Sequence, residues 1–266
     1  MSNYIVNADD LGMTPGTNKA IFDGHDNGYI NSTSIMTNCD YFKEAIHGLK
    51  VRKDLKVGIH LNLTYGKSLN SSLIFSDTNG FFNLNYLQLF YKSIFSNHFL
   101  EKVEGEFELQ IQKAIQNNID ISHLDSHRHI HLIPSIYKIV YGLSTKYNIR
   151  RVRLVNENIF HSLKLTKKIN FFMNGGLLKY FLLKIFTIFN KLHGNKYENI
   201  SFYSILYTGV IGRTSLHKLM SSNAFYEIVV HPSCINLDKD ITFYNDAEKA
   251  YRLSANRSLE LLGILK

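Results

Sequence analysis

The feature that most restricts how this chain can fold is a repeated alternation of short β-like runs with longer helix-like segments. Tyr4–Val6, Thr33–Met36, Val57–Leu63, Ile121–Leu124, Val152–Val155 and Glu227–Val230 read as strands. Val57–Leu63 is the clearest, because Val57, Ile59, Leu61 and Leu63 recur at the period of an extended chain. Pro15–Asn27, Phe42–Leu49, Glu101–Asn117, Pro134–Lys146 and Asp246–Leu262 carry helical spacing, and Pro134 suits a first turn. This order predicts an α/β fold built from βα units, with a parallel sheet either open or closed into a barrel. Two stretches, 65–97 and 157–199, break the rhythm and are expected to be insertions on the loop face. The chain shows no internal repeat and no linker rich in Pro, Gly or Ser. Residues 1–266 are therefore expected to form one domain, a length that a single α/β barrel accommodates.

Composition narrows the function classes. Hydrophobic residues make up 45% of the chain, enough for a substantial core and too many for wholesale disorder. A formal charge of +8 invites a nucleic-acid reading. Yet there is no zinc-finger spacing, no RNP-type aromatic signature and no basic helix with heptads, so nucleic acid is not an expected partner. Cys39 and Cys234 match no metal or redox spacing and read as isolated thiols. The N-terminus lacks the pattern of a secretory signal, and no apolar run reaches the ~18–20 residues of a membrane span, so a cytoplasmic location is expected.

Polar clusters follow the predicted strands. Asp9 and Asp10 come after Tyr4–Val6, and His60 lies near the end of Val57–Leu63. The run from His123 through Asp125, His127 and His129 to His131 continues from Ile121–Leu124. Arg153 falls in Val152–Val155, and His231 follows Glu227–Val230. Active sites of α/β barrels and open α/β sheets gather at the C-terminal ends of strands, so these distant clusters should meet at one mouth. A carboxylate with two imidazoles suits a divalent metal that keeps positions open for water and substrate. Of two adjacent aspartates, one can bind the metal while the other takes a proton, and an arginine beside the base would hold it ionised and oriented.

These residues resemble a known family. Asn7-Ala8-Asp9-Asp10-Leu11-Gly12, Gly58-Ile59-His60-Leu61-Asn62-Leu63-Thr64 and His123-Leu124-Asp125-Ser126-His127-Arg128-His129-Ile130-His131 look like the three signature blocks of the YdjC-like carbohydrate deacetylases. The blocks stand in the family's order. The resemblance weakens across 157–199 and recovers at Val229-Val230-His231-Pro232. It implies an incomplete or distorted TIM-like (β/α) barrel similar to that of polysaccharide deacetylases. It further implies Asp10, His60 and His127 as ligands of one divalent ion, magnesium or zinc. Asp9 matches the general base and His231 the candidate general acid, and Arg153 is expected beside Asp9 on position alone. The implied reaction removes an N-acetyl group from an amino sugar, in an oligosaccharide or linked to a lipid or a nucleotide, and releases acetate.

Asp125, His129 and His131 are read as substrate contacts, or as groups that orient the ligand imidazoles. His123 is expected to be structural. Ligand softness leaves zinc, cobalt, nickel or manganese open, with magnesium needing several waters. Leu177–Leu192 is apolar over most of its circumference, apart from a stripe of Lys184, Thr187 and Lys191. It reads either as a helix or lid packed on the barrel, or as an interfacial helix in peripheral contact with a membrane. A homodimer is a further expectation, since family members often pair. Two other functions stay open: a metal-dependent amidohydrolase or phosphoesterase on a related barrel, and an inactive carbohydrate- or glycolipid-binding protein.

Overall fold

The structure is a computed structural model and describes residues 4–165, 176–191, 200–221, 224–241, 249–250 and 252–265. Six strands form its frame: β1 (Tyr4–Leu11), β2 (Ser32–Ile35), β3 (Lys56–Leu61), β4 (Ile121–Ser126), β5 (Ser201–Tyr203) and β6 (Tyr226–Val230). They form one sheet in the order β4-β3-β2-β1-β6-β5, and every neighbouring pair is parallel. A parallel sheet needs crossovers that cover its faces, so its strands become apolar and buried. Accordingly Val6, Ala8 and Leu11 of β1, Ile59 and Leu61 of β3 and Ile228 to Val230 of β6 are at most 1% exposed.

The expected strand Val152–Val155 is not regular. Residues 152–157 instead join the two edges of the sheet. Val152 forms a parallel bridge with Leu124 of β4, and Glu157 forms one with Phe202 of β5. Leu124 N–H donates to the Arg151 carbonyl, Arg153 N–H donates to the Leu124 carbonyl, and Phe202 N–H donates to the Asn156 carbonyl. The sheet is therefore curled, with its edges linked through an irregular segment, which is consistent with a distorted TIM-like barrel. β5 had no counterpart among the expected strands: three residues are too few for a period to show.

The crossovers contain α1 (Pro15–Asp26), α2 (Phe42–Leu49), α3 (Tyr86–Phe95), α4 (Asn97–Gln116), α5 (Pro134–Lys146), α6 (Ile159–Leu165), α7 (Gly176–Lys191), α8 (Arg213–Met220) and α9 (Ala255–Ile264). Local signals set their ends. Thr14 caps α1 by accepting from Thr17 N–H, and Pro15 opens the first turn. Asn85 and Gln88 form a reciprocal capping box that starts α3 within the 65–97 stretch. β3 stops at Leu61, two residues before the alternation in the sequence ends. There the Asn62 side chain accepts from Thr64 N–H at 2.9 Å and Tyr65 N–H at 3.1 Å, turning the chain out of the sheet. The expected helix Asp246–Leu262 is described as α9 from Ala255; its residues 246–248 and 251 lie outside the described residues.

The 65–97 stretch is fastened by Glu106 of α4, whose carboxylate accepts from the Ser68 hydroxyl and from the N–H groups of Leu69 and Asn70. In the 157–199 stretch, residues 166–175 and 192–199 lie outside the described residues. Among the described residues, no helix is long and apolar enough to cross a membrane.

Candidate active site

The site lies at the C-terminal ends of the strands, where six separate segments meet. Two consecutive strand residues normally point to opposite faces. Here the β1–β2 register shifts between Ala8 and Leu11, and Asp10 takes a left-handed backbone with φ of 75°. This irregularity turns both Asp9 and Asp10 toward one imidazole: His60 Nε2 lies 3.9 Å from Asp9 Oδ2 and 3.5 Å from Asp10 Oδ1. A left-handed backbone on a non-glycine residue is strained and persists when its surroundings fix it.

Asp10 is fully buried and densely held. Its Oδ1 accepts from His127 Nδ1 at 3.0 Å. Its Oδ2 accepts from Arg252 Nη1 at 3.0 Å and from Arg257 Nη2 at 2.8 Å. Burial works against its charge, but Arg252 and His127 outweigh burial and hold the carboxyl well below the usual range. Asp9 is gripped differently. Arg153 Nη1 and Nη2 each donate to one of its oxygens at 2.9 Å, and Asn7 Nδ2 donates to Oδ1 at 2.8 Å. The position that the sequence assigned to Arg153 thus coincides with a bidentate contact to Asp9.

His60 is the hinge of the cluster. Its Nδ1 donates to Asp125 Oδ1 at 2.8 Å, leaving Nε2 facing Asp9 and Asp10. Burial would discharge this imidazole, yet the surrounding carboxylates, Asp125 and Asp9 foremost, raise its pKa to about 10. His127 goes the other way. Burial dominates and lowers its pKa to about 4, so it is neutral at pH 7 and keeps a lone pair.

Asp10, His60 and His127 can each offer one donor atom, all within 4.8 Å of one another, and Asp9, His60 and Asp125 form a second such group. The donor chemistry fits a divalent cation. An ionised carboxylate and a neutral imidazole stand ready, and His60 carries a proton in a nest of carboxylates that a cation would replace. The first group is the better fit. In the second group Asp125 already takes the His60 proton and Asp9 is clamped through both oxygens, whereas Asp10 keeps Oδ1 turned toward two imidazoles.

The cavity above this cluster has a volume of about 260 Å³ and is lined by Asp9, His60, Ser126, His127, Arg128, His129, Lys179, Thr208 and His231. A larger one of about 500 Å³ opens at the opposite ends of β3 and β4; its lining includes Lys50, Lys53 and Lys56 and a single carboxylate, Asp120. Chemistry on such scaffolds belongs to the C-terminal ends, so the smaller cavity is the candidate site.

The histidine run divides because Arg128 and His129 both have left-handed φ, 57° and 56°. His127 and His129 face the cavity, and no described residue hydrogen-bonds His129 Nδ1. His131 turns back: its Nδ1 meets the Ser126 hydroxyl at 2.6 Å and its Nε2 the Arg153 carbonyl at 3.1 Å. Asp125 is likewise fully buried, held by His60, Ser34 and Arg153. Neither lines the cavity, which corrects their reading as substrate contacts: both have their polar atoms committed to groups behind the site. His123 packs further back, between the hydroxyls of Ser122 and Ser34. Its ring fits because residue 58 is glycine; a Cβ there would come within 2.3 Å of the imidazole.

His231 follows β6 and places Nε2 3.8 Å from Asp9 Oδ2. Burial lowers its pKa to about 4. Behind it stands Glu260 of α9, which accepts from His231 N–H at 2.6 Å and whose own pKa burial raises to about 7. Sequence reasoning missed Arg252, Arg257, Glu260 and Glu227. A signal did exist for two of them: Arg257 and Glu260 share a face of α9 with the buried Gly263 and Ile264, where charges are out of place without a buried partner.

The family model of YdjC-like proteins matches residues 3–263, and the chain belongs to this family. Over 165 residues it is 32% identical to the carbohydrate deacetylase of Clostridium beijerinckii, covering 61% of this chain and 65% of that one. It is 35% identical over 161 residues to carbohydrate deacetylase 1 of Listeria innocua, covering 60% and 64% respectively. The match thus spans less than two thirds of the length of these relatives. A crystal structure of a candidate cellobiose-phosphate cleavage protein from Enterococcus faecalis V583 shares the fold, with a TM-score of 0.66 at 21% identity over 98% of this chain and 89% of that one.

Proposed function

We propose that this protein is a metal-dependent hydrolase that removes N-acetyl groups from an amino sugar. The observation that carries the reading is the division of the Asp9–Asp10 pair. Asp10 lies within donor-atom reach of both His60 and His127, while Asp9, clamped by Arg153, lines the cavity 3.9 Å from His60 Nε2. The relatives named carbohydrate deacetylases support the same chemistry.

Asp10, His60 and His127 would hold the ion, with zinc, cobalt, nickel or manganese suited to this donor set and magnesium only with several waters. Such an ion supplies polarisation of the acetyl carbonyl and a more acidic water. Asp9, oriented by Arg153, takes the proton of the attacking water as the new O–C bond forms. His231 delivers a proton to the sugar nitrogen as the C–N bond breaks, so acetate and a free amine leave. Because burial keeps the His231 imidazole neutral at rest, its proton arrives during turnover, from Asp9 3.8 Å away. Glu260 behind the ring stabilises the cation that then forms. His129, Lys179 and Thr208 line the cavity where a sugar would sit.

The test is acetate release from a panel of N-acetylated sugars by metal-loaded and chelator-treated protein. Release that needs the metal is the expected result. Absence of release with every sugar and every metal would overturn the reading in favour of another metal-dependent hydrolase or a binding role.

A further inference from the structure

α7 buries polar residues beside its apolar Tyr180, Leu183 and Phe186. Three of its polar residues face inward: Thr187 donates to the Val155 carbonyl, Asn190 to the Leu132 carbonyl, and Lys184 to the Asn156 side chain and the Glu157 carbonyl. Among the described residues, the 152–157 segment meets β4 and β5 through single bridges, and its Val155 and Glu157 carbonyls accept from α7. Lys184 and Thr187, two of the three residues of the polar stripe seen in the sequence, are thus turned toward the barrel. In consequence Leu178, Phe181, Ile185 and Ile188 face outward, each between 49% and 76% exposed.

α3 lies beside α7, joined to it by the stacked rings of Phe90 and Phe186, 5.6 Å apart. It also turns apolar residues out, with Leu87, Tyr91, Ile94 and Phe95 between 52% and 74% exposed. Single exposed apolar residues are ordinary, but two neighbouring helices with eight such side chains form a patch that marks an interaction surface. Its charge selects the occupant. α3, α6 and α7 carry no Asp or Glu, and beside the inward-turned Lys184 and the cavity-lining Lys179 they carry Lys92, Lys164 and Lys191. A second copy of this chain related by a two-fold axis would set lysine against lysine. An anionic bilayer accepts both the apolar side chains and the cations. α7 also reaches the catalytic cavity, since Lys179 lines it together with Arg128.

We infer that the outward faces of α3 and α7 dock onto the surface of an anionic lipid bilayer and present the cavity to an N-acetylated sugar carried on a membrane lipid. The docking stands on the surface alone; the lipid-borne sugar rests also on the deacetylase reading. The test is flotation of the metal-loaded chain with vesicles of phosphatidylcholine alone and of phosphatidylcholine mixed with phosphatidylglycerol, beside the double variants F181E/I185E and L87E/Y91E. All four positions are exposed, so the variants should keep the wild-type circular dichroism and sedimentation. The wild type is expected to float with the mixed vesicles at low salt, to lose binding as salt rises, and to bind about tenfold or more weakly in either variant.

Three results would overturn the inference: a wild type that stays unbound with both lipids, variants that float as well as the wild type, or a stable dimer that the variants dissociate and that does not bind vesicles. Flotation needs no turnover. Docking without acetate release would therefore sink the deacetylase reading alone, and release without docking would sink this one.

Discussion

His60 and Asp125 are register partners on the adjacent parallel strands β3 and β4, and the imidazole Nδ1 donates to the carboxylate at 2.8 Å. A single strand pairing therefore fixes the orientation of one candidate metal ligand and leaves its other nitrogen facing Asp10.

Replacing that carboxylate should loosen the metal without removing a donor from its group. Asp125→Asn is expected to weaken metal affinity by roughly 10–100-fold, the usual effect of losing a partner behind a ligand imidazole. Metal titration by calorimetry measures it. An unchanged affinity would mean that His60 is oriented by something else, or is not a ligand.

Arg153 ties three buried carboxylates together: Asp9, Asp125 and Glu227. Lysine at this position keeps the charge but loses the planar fork. Arg153→Lys should lower turnover through a misplaced Asp9 and lower stability by about 1–3 kcal/mol, as expected when buried acceptors lose a donor. Urea unfolding beside a kcat measurement checks both, and a variant with wild-type stability and turnover would show the clamp to be dispensable.

Metal binding should release a proton. His60 holds one up to about pH 10 in the metal-free protein, and its Nε2 can serve as a donor only once that proton leaves. Affinity should accordingly rise with pH from 6 to 8. Calorimetry in buffers of different ionisation enthalpy should report about one proton released per ion at pH 7. Binding independent of pH would contradict a role for His60 as ligand.

The metal-free protein should also lose stability in acid. Burial depresses His127, His131 and His231 to about 4. A depressed imidazole contributes stability that is present above its unfolded value of about 6.5 and is lost as pH falls from there through 4. Glu260, raised to about 7, acts in the opposite sense: its contribution is present below about 4.5 and is lost as pH rises through 7. Three imidazoles outweigh one carboxyl, so unfolding free energy should fall between pH 6.5 and 4. A flat profile over that range would show that these groups are not buried as described.

Much of this was legible in the sequence, and the exceptions have physical causes. Strands with clear alternation or apolar runs, such as β3 and β6, could be placed because burial on a parallel sheet leaves a pattern. β5 and the irregular 152–157 segment could not: closing the curled sheet there relies on single bridges rather than on a ladder. Asp9, Asp10, His60 and His127 stood out as candidates because they fall at strand ends and within blocks that resemble the family's. From residue order alone, which aspartate reaches both imidazoles was not legible, since it depends on the bulge and on the left-handed backbone of Asp10; the family resemblance assigned Asp10. Asp125 was read as a substrate contact or an orienting group and bonds His60, whereas His131 turns away from the cavity because alternation along a strand cannot anticipate the two left-handed residues after His127. Arg252 and Arg257 were missed because they reach Asp10 from 242 and 247 residues away.

The division of labour between the two aspartates is tested most directly by measuring metal content and acetate release together in Asp9→Asn and Asp10→Asn. Asp9→Asn should bind metal as the wild type does and lose turnover by on the order of 10²–10⁴-fold, as removal of a general base does. Asp10→Asn should lose the metal itself. An Asp9→Asn variant that sheds its metal, or one that retains turnover, would contradict the account.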